Sequence, residues 1–299
     1  MKLASYFLPE SHIKSFGIVI GDGLVDLGLR VGWRFTDLKA ALEENALPAL
    51  AGFSNNPIDF HVRDVKFLPV IERPNKIFCV GMNYADKRKE FDETNNDAPT
   101  LFIRFADSLV GHGNPVVKPA ASNEFDYEGE LAVIIGKPAN CVSKDRALSC
   151  VAGYSCFMDG SVRDMQYTWF TSGKNWVNTG CFGPWMVSTD EISNPNTLPI
   201  HTYLNGQMVQ NDNTANMIRH VPELIEYISA FSPLSPGDVI ITGSPGGVGK
   251  KRTPPLFMNS GDLIEVEIDG IGRLRNTVAS NVKINTCLVG NTHGKNQNQ

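Results

Sequence analysis

The feature that most limits what this chain can fold into is its punctuation: from residue 76 onward, apolar runs are cut by glycine or proline before they reach helical length. Residues 77–80, 101–104, 131–135, 239–242 and 263–268 are all of this kind, and short apolar runs bounded by breakers read as strands. The best helical pattern is 221–231, with Pro222 suited to a first turn. Strands that greatly outnumber helices argue against alternating βαβ units. The expectation is a β-rich α+β fold, a mixed β-sandwich or roll. Residues 1–72 read as a separate small α/β domain, with β-like runs at 2–7, 15–20 and 24–27 and a helix over 35–44 opened by Thr36. The two prolines of Leu68-Pro69-Val70-Ile71-Glu72-Arg73-Pro74 mark a linker. The larger domain then spans 73–289, and the polar segment 290–299 is expected to be a disordered tail.

Bulk properties remove several function classes. The 299 residues carry a formal charge of −5, and the basic runs Lys87-Arg88-Lys89 and Lys250-Lys251-Arg252 are too short for a nucleic-acid footprint. No apolar stretch reaches membrane-spanning length, and the first residues lack a signal-like segment. None of the six cysteines forms a C-x-x-C pair, so reduced thiols and a cytoplasmic protein are expected. The segment Gly243-Ser244-Pro245-Gly246-Gly247-Val248-Gly249-Lys250-Lys251 imitates a phosphate-binding loop. It lacks the first glycine and the metal-binding hydroxyl of that motif, and Pro254 and Pro255 deny it a following helix.

Chemistry concentrates in Asp126-Tyr127-Glu128-Gly129-Glu130-Leu131-Ala132-Val133-Ile134-Ile135. In a strand with a side-chain period of two, Glu128 and Glu130 share a face. Two carboxylates leading into an apolar run repel one another and resist desolvation unless a hard cation joins them, although a solvated strand end would also accept them. Gly129 leaves the opposite face bare for close backbone packing. Asp159, beside Gly160 after another apolar run, could add a third carboxylate or could simply cap a turn. Arg163 and Gln166, three apart, would share a helical face and could grip a substrate carboxylate.

The segments Gly81-Met82-Asn83-Tyr84-Ala85-Asp86, Asp126–Leu131, Met158–Gln166, Gly173-Lys174-Asn175-Trp176, Phe182-Gly183-Pro184-Trp185, Asn205-Gly206, residues 237–245 and Gly261-Asp262 occur in an order that resembles the fumarylacetoacetate hydrolase superfamily, over most of residues 76–280. Residues 1–72 resemble the small domain of its two-domain bacterial members. The resemblance implies a fumarylacetoacetase C-terminal-like roll and a site in which Glu128, Glu130 and Asp159 bind Mg²⁺ or Mn²⁺, with Ca²⁺ also admissible. It implies that Lys174 holds a substrate oxygen, that Arg163, Gln166, Tyr84 and Arg104 contact substrate, and that the Ser244 hydroxyl binds a carboxylate. The implied partner is a small 2-oxo acid, with no nucleic acid and no membrane. The implied assembly is a homodimer, to which residues 176–187 would suit an interface.

The activity this resemblance implies is metal-dependent hydrolysis of a C–C bond in an acylpyruvate or other dioxo acid through a stabilised enolate, as in aromatic compound catabolism. One position departs from the pattern. Hydrolytic members carry a histidine and, three residues later, a glutamate as the base; here the two positions are Lys87 and Glu90. A lysine is a poor base at neutral pH unless burial or nearby cations depress its pKa. Decarboxylase, isomerase or lyase chemistry on the same metal site, or a catalytically silent fold, are the alternatives. His112, between two glycines, reads as structural, and Tyr167, Trp169, Phe170, Trp176 and Trp185 as core or interface residues.

Overall fold

The computed structural model describes residues 1–94, 97–167 and 169–280; the expected tail at 290–299 and Cys287 lie outside them. Strand-forming runs dominate as the breakers require. Gly129–Ile135, Val151–Met158 and Gly180–Ser188 lie side by side at the centre of a large mixed sheet, almost wholly buried on both faces. Val239–Ile241 flanks Gly129–Ile135 and runs parallel to Ile77–Gly81, which pairs in turn with Thr100–Ile103. A second, five-stranded sheet is built from Gln207–Asn213, Pro199–Leu204, Leu263–Ile268, Gly272–Ser280 and Val116–Lys118. It packs over the central strands through side chains such as Leu131, Val133, Ile200, Val266 and Leu274. The fold is the expected β-rich α+β class.

The first strands, Lys2–Phe7, Lys14–Ile20 and Gly23–Asp26, continue the large sheet, because Lys2 and Leu3 pair with Val187 and Met186. Leu3, Phe16 and Val25 also share an apolar cluster with Ala132, Phe182 and Val239. The boundary expected near residue 72 therefore marks no break in either sheet or core. In that unit the helix is Leu38–Glu43, and its cap is Asp37, whose carboxylate accepts the Ala40 N–H at 2.8 Å. Thr36 does not cap it: its shorter, branched side chain turns to Asp37 instead. The helix Val221–Phe231 occupies its expected span and buries Leu224, Ile225 and Ile228 on one face, with Glu223 returning to the His220 N–H at 2.9 Å.

Residues 180–187 are interior: Cys181, Phe182, Met186 and Val187 are fully buried, and the Trp185 indole donates to the Ile271 carbonyl at 2.8 Å. Of the aromatics near the site, Tyr167 and Trp169 are exposed. No described helix is long and apolar enough to cross a membrane.

Candidate metal and active site

Sheet register assembles the carboxylates. Gly129 pairs with Met158, and the Asp159 N–H donates to the Glu128 carbonyl at 2.8 Å, so Glu128, Glu130 and Asp159 arrive from two adjacent strand ends. One oxygen from each lies within 4.8 Å of the others, and all three residues are buried. Gly129 works as expected: a Cβ there would lie 2.1 Å from the Thr202 hydroxyl on the second sheet. The missing side chain therefore lets that sheet approach from behind the carboxylates.

Buried cations surround this cluster. Lys87 bonds Glu128 and the Ser244 hydroxyl; Lys174 bonds Glu128 and Asp159, and reaches the Ser161 hydroxyl at 2.6 Å. Arg104 pairs with Asp159 and also donates to the Thr179 hydroxyl at 2.9 Å. Arg163 donates to Asp126 at 2.8 Å, while its Nη2 lies 3.3 Å from Glu128, close enough for attraction but without the alignment of a hydrogen bond. Asp126, Glu128, Glu130 and Asp159 thus face Lys87, Arg104, Arg163 and Lys174, all buried.

The electrostatics split the two strand glutamates. Burial pushes the Glu128 carboxyl up, but Arg163, Lys174 and Lys87 outweigh it and hold the group well below the usual range. Glu130 has no comparable cation; burial, Asp159 and Glu128 together drive it well above the usual range. Burial depresses Lys174, but Asp159 and Glu128 overcome it and keep the lysine charged. Three converging buried oxygen donors, one of them made costly to ionise by its neighbours, form the donor set that a hard divalent cation satisfies. The residues fit such a metal.

The remaining candidates fall in different places. Lys87, Glu128, Glu130, Asp159, Arg163 and Lys174 line one hollow, with Phe102, Phe170 and Met82 completing its wall. Ser244 joins them through Lys87 and lies 3.3 Å from Glu128. Gln166 is adjacent, its Oε1 3.4 Å from Arg163 and its amide nitrogen buried without a hydrogen-bond partner. Arg104 reaches the site only through Asp159. The Tyr84 phenol is fully buried in the apolar core and outside the hollow, with burial first and then Asp212 pushing its pKa well up. Glu90 does not line the hollow; its Oε1 accepts the Gly247 N–H at 2.5 Å, and its Oε2 is buried without a hydrogen-bond partner. His112 sits elsewhere, accepting the Arg275 N–H at 3.1 Å.

Two site residues escaped the sequence reading. Asp126 continues the period-two series of Glu128 and Glu130, a signal that was present, and it anchors Arg163 together with the N–H groups of Gly249 and Lys250. Ser161 bridges Lys174 and Glu128, the latter at 2.6 Å, and nothing in its local sequence marks it out.

A mixed sheet with three buried carboxylates at its strand ends, ringed by lysine and arginine, is an arrangement that would fit a divalent cation. The model of the fumarylacetoacetate hydrolase C-terminal family matches residues 76–279, and the chain belongs to that family. It is similar to a mitochondrial oxaloacetate tautomerase of Xenopus laevis, 36% identical over 289 residues, covering 93% of this chain and 90% of that protein. A human mitochondrial oxaloacetate tautomerase is 41% identical over 221 residues, covering 72% of this chain and 70% of its own. Among solved structures, a maleylpyruvate hydrolase from Sphingobium in complex with manganese(II) and pyruvate superposes with a TM-score of 0.79 at 28% identity, covering 94% of this chain and 99% of its own.

Proposed function

We propose that this family member is an isomerase that interconverts the enol and keto forms of a small 2-oxo dicarboxylic acid of the oxaloacetate type, using Mg²⁺ or Mn²⁺. The observation that carries this reading is the fate of the two expected base positions. Lys87 is buried against Glu128 and Ser244, and Glu90 accepts the Gly247 N–H with one carboxylate oxygen while the other is buried without a hydrogen-bond partner, an arrangement unlike a histidine–glutamate base pair. Among the described residues no histidine lines the hollow. Tautomerisation needs no water; it needs one proton moved between an oxygen and the neighbouring carbon.

Glu128, Glu130 and Asp159 would hold the cation, which when bound supplies Lewis-acid stabilisation of developing negative charge. Lys174, kept charged by Asp159 and Glu128, orients the 2-oxo oxygen beside them. Lys87 gives a proton to the carbon next to the enol carbon, and the enol hydroxyl proton returns to Lys87 through the Ser244 hydroxyl, which can accept and donate at once. Atoms and charge balance without any co-reactant. The unpartnered buried nitrogens Arg163 Nη2 and Gln166 Nε2 are donors for the distal carboxylate. Charge supports the same substrate class: four buried cations match four buried carboxylates, so an added dication is balanced by a dianionic acid.

The test follows the loss of enol ultraviolet absorbance with the metal present. Wild type should accelerate it, and Lys87→Met should lower the rate roughly 10²-fold, the usual weight of a proton-transfer group. A panel of acylpyruvates serves as control. Their hydrolysis, without tautomerase activity, would replace this reading with the hydrolytic one, which the likeness to the maleylpyruvate hydrolase supports.

A further inference from the structure

The loop of residues 243–249 is held in an unusual way: carboxylates receive its backbone N–H groups from two sides. Glu130 accepts from Gly243 at 2.6 Å and Asp126 from Gly249 at 2.7 Å, both reaching up from the site strands. From the other side, Asp86 accepts from Gly246 at 3.0 Å and Glu90 from Gly247 at 2.5 Å. Asp86 and Glu90 stand four apart on the helix Ala85–Glu90 and so share one face. Between them on the buried side is Lys87, which meets Ser244 of the same loop.

This helix is anchored on its N-terminal side by Asn83, whose side-chain amide donates to the Thr242 carbonyl at 2.8 Å and whose backbone carbonyl accepts the Ile218 N–H at 2.7 Å. It is a single short element, and its preceding residue Tyr84 provides no side-chain cap. Arg88 ties it to the Met82 carbonyl at 2.7 Å and the Thr94 carbonyl at 2.6 Å, both close in sequence. Within the helix itself, the long-range ties run through Lys87, Asp86 and Glu90. Gly247, in a left-handed conformation at φ +92°, presents its N–H to Glu90, while its carbonyl accepts the Arg252 Nε at 3.1 Å.

We infer that Glu90, where hydrolytic relatives resembling this chain place part of their base, is here a positioning residue. With Asp86 it clamps the helix to the loop and so sets Lys87 and Ser244 at bonding distance. The role rests on the tautomerase reading for its catalytic consequence, but the clamp itself is a statement about two backbone amides. An acceptor oxygen is all that the clamp requires of residue 90; a base requires a titrating carboxylate.

Glu90→Gln keeps an acceptor oxygen and loses the ability to take a proton, whereas Glu90→Ala loses both. Amide hydrogen exchange of the full chain should show Gly247 protected in wild type and in Glu90→Gln, and exchanging roughly tenfold faster or more in Glu90→Ala. Oxalate affinity with Mn²⁺, read by calorimetry, should follow the same order. Enol turnover in Glu90→Gln should stay within about threefold of wild type with an unchanged pH profile, and fall about tenfold in Glu90→Ala. Unaltered Gly247 exchange in Glu90→Ala overturns the clamp. Turnover lost in Glu90→Gln as deeply as in Glu90→Ala, with Gly247 still protected, makes Glu90 a base and overturns the assignment. If wild type turns over no oxo acid, the proposed activity fails, while the exchange and oxalate data still decide the clamp.

Discussion

Two concavities of this molecule invert the usual association of size with function. The cleft bordered by Gly21, His61, Arg63, Lys66 and His112 encloses about 580 Å³. The hollow among Lys87, Glu128, Glu130, Asp159 and Lys174 encloses about 20 Å³. In the large cleft the charges are solvated: Arg63 is 81% exposed, and His61 lies 3.7 Å from an Asp22 that is almost fully in water. Their mutual effects are screened and small. In the small hollow the charges are stripped of water, so each shifts its neighbours, and Glu128 and Glu130 titrate in opposite directions within one strand end. Burial turns charge into chemistry, and open volume does not.

That contrast can be broken by experiment. Replacing Glu128 and Glu130 together by glutamine should abolish Mg²⁺ and Mn²⁺ binding in calorimetry and reduce enol turnover by roughly 10³-fold or more, the scale of losing preorganised electrostatic groups. Retained metal binding would place the cation elsewhere. A smaller effect belongs to His112, the one partly buried titrating group of the large cleft. Burial first, and then Arg275, lower its pKa from 6.5 to about 4. The folded state therefore binds fewer protons than the unfolded one, so stability is full above pH 6.5 and is lost as pH falls toward 4. Thermal melts should show His112→Asn removing a pH dependence on the order of 1–2 kcal/mol over that window, after discounting for solvent screening. The smallest expected effect is Arg63→Ala, which should leave turnover within about twofold and stability within about 0.5 kcal/mol. A large loss there would give the open cleft a function.

Legibility followed the same division. Glu128 and Glu130 could be picked out because a period-two pattern running into an apolar strand is a local property of the chain, and Asp159 because it follows another apolar run beside a glycine; the order of the flanking segments marked the family. Lys87 could be seen to replace a base, but not where its ammonium would go. Its partners are 41 and 157 residues distant, and the pairing of Val239–Ile241 with both Ile77–Gly81 and Gly129–Ile135 brings them together. Glu90 was read as a base on the same grounds; one of its oxygens accepts the Gly247 N–H, a partner 157 residues away that no local pattern marks. The continuous sheet across residue 72 was hidden for a related reason, since Lys2 meets Val187 through hydrogen bonds that leave no trace in composition.

What the amino-acid sequence by itself determined was the strand-rich class, the family and the carboxylates that converge in the buried cluster, because each depends on residue type, spacing and order along the chain. Tertiary structure alone decided which cation faces which carboxylate, which glutamate is pushed up and which down, and which backbone amide Glu90 meets. Those outcomes depend on distance and desolvation, and both are set by the packing of segments that the chain keeps far apart.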